Sequence, residues 1–88
     1  MIVSMQEIRN TVRAFIGDEL AADSGVALAD DTPLIEREIM DSTGILMVIG
    51  FLEDEYDIFI DADDVSVDHF RTVSSIADLV RTKQTERA

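Results

Sequence analysis

The chain has 88 residues, 47% of them hydrophobic, and carries 19 acids against 7 Lys and Arg for a net charge of −12. That length and apolar content describe one domain with one modest core and rule out a disordered chain. The absence of cysteine excludes disulfides and thiolate metal sites, and the negative charge opposes direct contact with nucleic acid or an anionic membrane.

Ser4 to Glu7 reads Ser-x-x-Glu, a capping box that opens a helix. Ile8, Val12, Phe15, Ile16 and Leu20 follow at helical spacing, giving one buried face. Asp23-Ser24-Gly25 is a stop signal. Residues 23–37, with Gly25, Asp30, Asp31, Thr32 and the single proline Pro33, read as a long loop. Leu34 and Ile35 are its apolar anchors, set in a short helical turn. A second helix starts at Asp41-Ser42 and runs to about Tyr56, with Ile45, Val48, Ile49, Leu52 and Tyr56 as its stripe.

Residues 57–62 form a connector in which Ile58 and Ile60 alternate like a strand, though two such residues make no sheet. Ser66 caps a short third helix with Val67 and Phe70. Thr72 caps a last one carrying Val73, Ile76, Ala77 and Val80. The polar tail from Arg81 is expected to fray, leaving order over about residues 3–82. The predicted fold is all-α: a single-domain bundle spanning 1–88, with three main helices plus one short helix. The expected core comprises Ile8, Val12, Phe15, Leu20, Leu34, Ile45, Val48, Ile49, Leu52, Tyr56, Ile58, Phe70, Val73, Ile76 and Val80.

Charge is distributed unevenly. Between Glu38 and Phe70 there is no Lys or Arg, yet ten acids: Glu38, Asp41, Glu53, Asp54, Glu55, Asp57, Asp61, Asp63, Asp64 and Asp68. Such a stretch repels itself at neutral pH and steers toward basic protein surfaces. The opening residues lack the basic and apolar regions of a signal peptide, and no run is long enough to cross a bilayer, so the expected location is the cytoplasm.

The segment Ile39-Met40-Asp41-Ser42-Thr43-Gly44 ends a loop and opens a helix. A helix N-terminus offers unpaired N–H groups and the positive end of the dipole, a favourable field for a phosphate on Ser42. Small Thr43 and Gly44 leave room for a bulky substituent. Taken alone, Asp-Ser here is an ordinary cap, with Asp41 the better candidate for that role.

The ordered set from Asp41-Ser42 through Leu52-Glu53-Asp54-Glu55-Tyr56-Asp57-Ile58, then Phe70-Arg71-Thr72-Val73 and Ile76 to Val80, resembles the acyl and peptidyl carrier protein family. The resemblance spans roughly residues 33–80. It implies an acyl-carrier-protein-like bundle in which Ser42 bears 4′-phosphopantetheine, taken from coenzyme A by a separate phosphopantetheinyl transferase. Asp41 would support that transfer, near the transferase's magnesium. The implied function is to carry an acyl group as a thioester and present it to partner enzymes, with no catalytic residue and no resident metal. Fatty acyl cargo and aminoacyl or peptidyl cargo are both open, as is the matching activating ligase. The docking surface would combine Thr43, Met47 and Phe51 with Glu53, Asp54, Asp63 and Asp64, facing basic patches on clients; the chain is expected to be a monomer.

The chain departs from the family pattern at three places. Carriers usually have glycine shortly before the serine, where Glu38-Ile39-Met40 has none. A large apolar residue commonly follows the serine, where Thr43 stands. Glycine commonly follows the aromatic, where Asp57 stands.

Other readings fail on the letters. An aspartic-protease motif would need glycine two places after Asp41, where Thr43 sits, and a second aspartate. A serine hydrolase would need a base and a Gly-x-Ser-x-Gly elbow, and the chain has only His69. An EF-hand from Asp61 has Val65, Ser66 and Thr72 where an acid or amide, glycine and glutamate belong. An acidic helical adaptor without a prosthetic group remains the alternative of a different class.

Overall fold

The computed structural model describes residues 3–21 and 28–87. The predicted stop at Asp23-Ser24-Gly25 lies outside the described residues. Among the described residues, four helices follow in order: α1 (Met5–Glu19), α2 (Ser42–Tyr56), α3 (Val67–Phe70) and α4 (Val73–Arg87), with a 3₁₀ turn at Ala62–Asp64 before α3. No strand occurs among the described residues. The fold is a small all-α bundle of three main helices plus one short helix, as the periodicity predicts. None of the described helices is long and apolar enough to cross a membrane.

The helix starts follow local chemistry. Ser4 accepts from the Glu7 N–H at 3.1 Å. Ser66 accepts from the His69 N–H at 3.3 Å. Thr72 and Ser75 bond each other's backbone N–H through their side-chain oxygens, each at 3.0 Å. Each arrangement satisfies donors that a helix start leaves unpaired.

Ile8, Val12 and Ile16 of α1 meet Phe70, Val73, Ile76, Ala77 and Val80 from α3 and α4, and Val48 and Leu52 of α2 close the same core. Each such fully buried side chain is worth about 1.5–3 kcal/mol relative to exposure. Ile16, Met40, Ile60, Ala77 and Leu79 join the expected core. Phe15, Leu20, Ile45, Ile49 and Tyr56 are only partly buried and pack against its edge. Helix α4 packs along α1 and also against α3 and α2, so its apolar face is wider than one stripe. Helix α2 is covered on one side only, so just the centre of its stripe is sealed.

The loop before α2 is tied down by backbone bonds. Leu34 is fully buried. Its N–H donates to the Arg71 carbonyl at 2.7 Å, and its carbonyl accepts from Ile39 and Met40 at 2.9 and 3.1 Å. The Ser74 N–H at the start of α4 donates to the Asp30 carbonyl at 3.0 Å. After α2, Ile58 and Ile60 turn inward, each 6% exposed, while Phe59 between them is 70% exposed. The strand-like alternation therefore survives as a buried–exposed–buried loop without a sheet.

Helix α4 continues to Arg87, past Arg81, where fraying was expected. Two anchors account for it. The Arg81 guanidinium donates to the Val3 carbonyl. The Lys83 ammonium, on a side chain only 12% exposed, meets Asp64 at 2.5 Å, Glu86 at 3.3 Å and Asp61 at 3.9 Å. Arg71 pairs with Glu36 at 3.2 Å and Asp68 at 3.7 Å. The stretch without bases in sequence is thus partly neutralised across the bundle. His69 is half-buried, with Nδ1 2.7 Å from the Asp64 carbonyl.

The hydrogen bond from Lys83 holds the Asp64 carboxyl below its ordinary value, and the same bond raises Lys83 above its own. A lowered carboxylate pKa stabilises the fold above the unfolded value and loses that contribution as pH falls through the folded one. The raised Lys83 value contributes below its unfolded value and is lost as pH rises through the folded one. Lys83→Met is therefore expected to melt below wild type at pH 7, with the gap closing as pH drops below about 4. Thermal melts of both proteins across that range test this. A gap unchanged down to the lowest pH would assign the contribution of Lys83 to its aliphatic stem.

Candidate functional site

Ser42 is the first residue of α2 and is exposed, as are Asp41 and Thr43. Asp41, with extended backbone, is the cap: its Oδ1 accepts from the Gly44 N–H at 2.8 Å, and its carbonyl accepts from the Ile45 N–H at 2.9 Å. The serine hydroxyl is therefore not consumed in capping. The Ser42 and Thr43 N–H groups, at the first two helical positions, have no carbonyl one turn earlier within the helix to bond. An anionic group on the Ser42 oxygen would lie beside them at the positive end of α2.

Gly44 serves the fold instead of leaving room at the surface. It is buried, and a Cβ there would meet Leu20 Cδ1 at 3.3 Å and Met40 Cγ at 3.4 Å. Its lack of a side chain seats the first turn of α2 against the core. Beside this turn lies an open groove of about 560 Å³. Ile35, Met40, Ile45 and Val67 give it apolar walls, and Glu38, Asp41 and Ser42 also line it. Val67 belongs to α3, so the short helix closes one side of the serine's surroundings.

Both positions where the resemblance to carriers leads one to expect a glycine have a structural counterpart. Glu38 and Asp57 are the two non-glycine residues with positive φ among those described, at 60° and 53°. Glu38 turns the chain just before Asp41, and Asp57 ends α2 in the left-handed conformation. Asp visits that region with little penalty, whereas Glu there costs about 1–2 kcal/mol.

The expected docking residues separate into two groups. Thr43, Asp54 and Asp63 are exposed, and Met47 is 38% exposed. Phe51 is half-buried and stacks on Phe15, with centroids 4.1 Å apart and planes 17° from parallel. Glu53 accepts from the Ile60 N–H at 3.0 Å and so fastens the connector to α2. Asp64 accepts from the Asp61 N–H at 3.1 Å and pairs with Lys83. Phe51, Glu53 and Asp64 are thus engaged within the fold, Phe51 and Asp64 by neighbours distant in the chain. Leu46 is 68% exposed. It sits one helical turn after Ser42, so the i,i+4 spacing already puts it on the serine's face. Gly50 continues that face, with no atom within 4 Å of where its Cβ would stand.

No family model matches this chain, and no curated protein does. Among solved structures, a chain from the crystal structure of an FAD-dependent dehydrogenase matches with a TM-score of 0.72 and 26% identity, covering 78% of this chain and 97% of that one. That coverage makes the matched chain roughly 70 residues long, so nearly all of it lies within the shared fold.

Two substitutions test these assignments. Glu38→Gly should stabilise the fold by about 1 kcal/mol, read as a higher urea midpoint at unchanged slope. Phe51→Ala should cost about 2 kcal/mol or more, while Met47→Ala stays within about 0.5 kcal/mol of wild type. Equal losses from both would place Met47 in the packing as well.

Proposed function

We propose that this protein is an acyl carrier, holding an acyl group as a thioester on a 4′-phosphopantetheine arm attached to Ser42. The observation that carries the reading is the division of labour at the start of α2: Asp41 caps the helix, and the adjacent Ser42 is exposed at its first position. The Asp-Ser pair stands in the ordered residue pattern that resembles carriers. The first-turn N–H groups suit the phosphate of such an arm, and the groove walled by Ile35, Met40, Ile45 and Val67 suits its apolar portion. When bound, the arm supplies the thiol that carries the acyl group.

The chain's own residues would do the rest. Asp41 holds the first turn and leaves the serine oxygen open to a transferase that works with magnesium and coenzyme A. Exposed Thr43, Leu46 and Met47 offer apolar contact beside Ser42, and Asp54 and Asp63 add negative charge for clients with basic patches. Such charges speed the encounter more than they tighten it. Aminoacyl cargo is equally compatible with this surface. A chain of similar fold occurs in the crystal structure of an FAD-dependent dehydrogenase, so a dehydrogenase of that kind is one partner to test.

Incubation with a broad-specificity transferase, magnesium and coenzyme A should add one phosphopantetheine to wild type and none to Ser42→Ala, read by intact mass. A wild-type chain that stays unmodified, while a known carrier in the same tube reacts, would leave the acidic adaptor as the better reading.

A further inference from the structure

At the end of the bundle away from Ser42, a second surface has no role in arm attachment. We propose that the groove around Phe59 is a docking site for a basic segment of a protein partner. Phe59 is 70% exposed, the highest value among the large apolar side chains of the described residues. Its inward neighbours Ile58 and Ile60 hold the backbone in place, so the ring is presented by a loop with anchors on both sides. The groove beside it measures about 520 Å³ and is lined by Asp57, Ile58, Phe59, Asp61, Lys83 and Glu86. Phe59 follows the C-terminal end of α2, and the length of that helix puts the groove about 20 Å from the serine.

The charge of the groove selects its occupant. Three carboxylates line it against one ammonium, which is 12% exposed and pairs with Asp64 at 2.5 Å, Glu86 at 3.3 Å and Asp61 at 3.9 Å, so the groove keeps a net negative charge. The C-terminal ends of α2 and α4 both reach this groove, through Asp57 and Glu86, and helix C-termini add negative potential. A second copy of a chain with net charge −12 is repelled from such a place, and so are anionic lipid and nucleic acid. An arginine-bearing segment fits best. Its guanidinium can stack on the open Phe59 ring and meet carboxylates at the rim, and an apolar neighbour can cover the rest of the ring. A partner held here leaves the Ser42 end uncovered.

This proposal does not depend on the modification of Ser42, and its test uses the unmodified full chain. The probe is a short peptide alternating arginine and leucine, titrated into the isotope-labelled protein and followed by amide NMR. Shifts should concentrate at Asp57 to Asp61 and near Glu86. Phe59→Ala should bind the peptide about tenfold more weakly, with melting unchanged because the ring is exposed. Peptides with serine for leucine, or glutamate for arginine, should lose most of the binding. Should Phe59→Ala fold poorly, Phe59→Lys provides the same comparison, because it removes the ring and adds a positive charge that opposes the peptide. Unchanged affinity in the Phe59 variants, or shifts spread evenly over Asp54, Asp63 and Asp68 as well, would overturn the proposal and leave only diffuse attraction to an acidic surface.

Discussion

Leu34 holds the loop from which the serine is presented. Its side chain is fully buried, its N–H reaches the Arg71 carbonyl, and its carbonyl takes both the Ile39 and Met40 N–H groups. Buried backbone groups must find partners, and these bonds supply them within a single residue's reach. They tie the chain just before α2 to the junction of α3 and α4. From there Glu38 turns the backbone and Met40 drops into the core. Asp41 arrives in the extended conformation that lets it cap α2. The exposure of Ser42 is thus the end of a packed chain of constraints.

Charge is used in two ways. Asp61, Asp64 and Lys83 fasten the 3₁₀ turn to the last turns of α4, and Arg71 draws Glu36 and Asp68 together. Glu53 holds the connector by accepting from a backbone N–H. Asp54 and Asp63 remain at the surface. Counting acids along the chain overstates the self-repulsion of the fold, because Lys83 and Arg71, which offset some of them, lie outside the acidic stretch in sequence. It also overstates the docking surface, because an acid bonded to its own fold is less available to a client.

The carrier reading rests on a conjunction. An exposed serine at a helix start is common in proteins, and a four-helix fold hosts many functions. Here the serine has an aspartate cap beside it, a groove with apolar walls at its side, and a surrounding residue pattern that resembles that of carriers. The match to a chain from an FAD-dependent dehydrogenase structure, at 26% identity and a TM-score of 0.72, concerns the fold.

The sequence by itself determined the helices, their caps and most of the core, because those depend on residues three or four places apart. Ser4, Asp41, Ser66 and Thr72 bond donors within their own first turns, and the i,i+4 stripe of α1 needs no distant partner. The same locality made Asp41 legible as the cap and Ser42 as the residue left open. Tertiary structure decided what depends on contacts remote in the chain. Phe51 meets Phe15 and leaves the surface, Gly44 turns inward against Leu20 and Met40, and Lys83 crosses to Asp64 and carries α4 on to Arg87. It also showed where the chain turns left-handed, at Glu38 and Asp57, since φ is set by the path the packed loop must take and not by the residue alone.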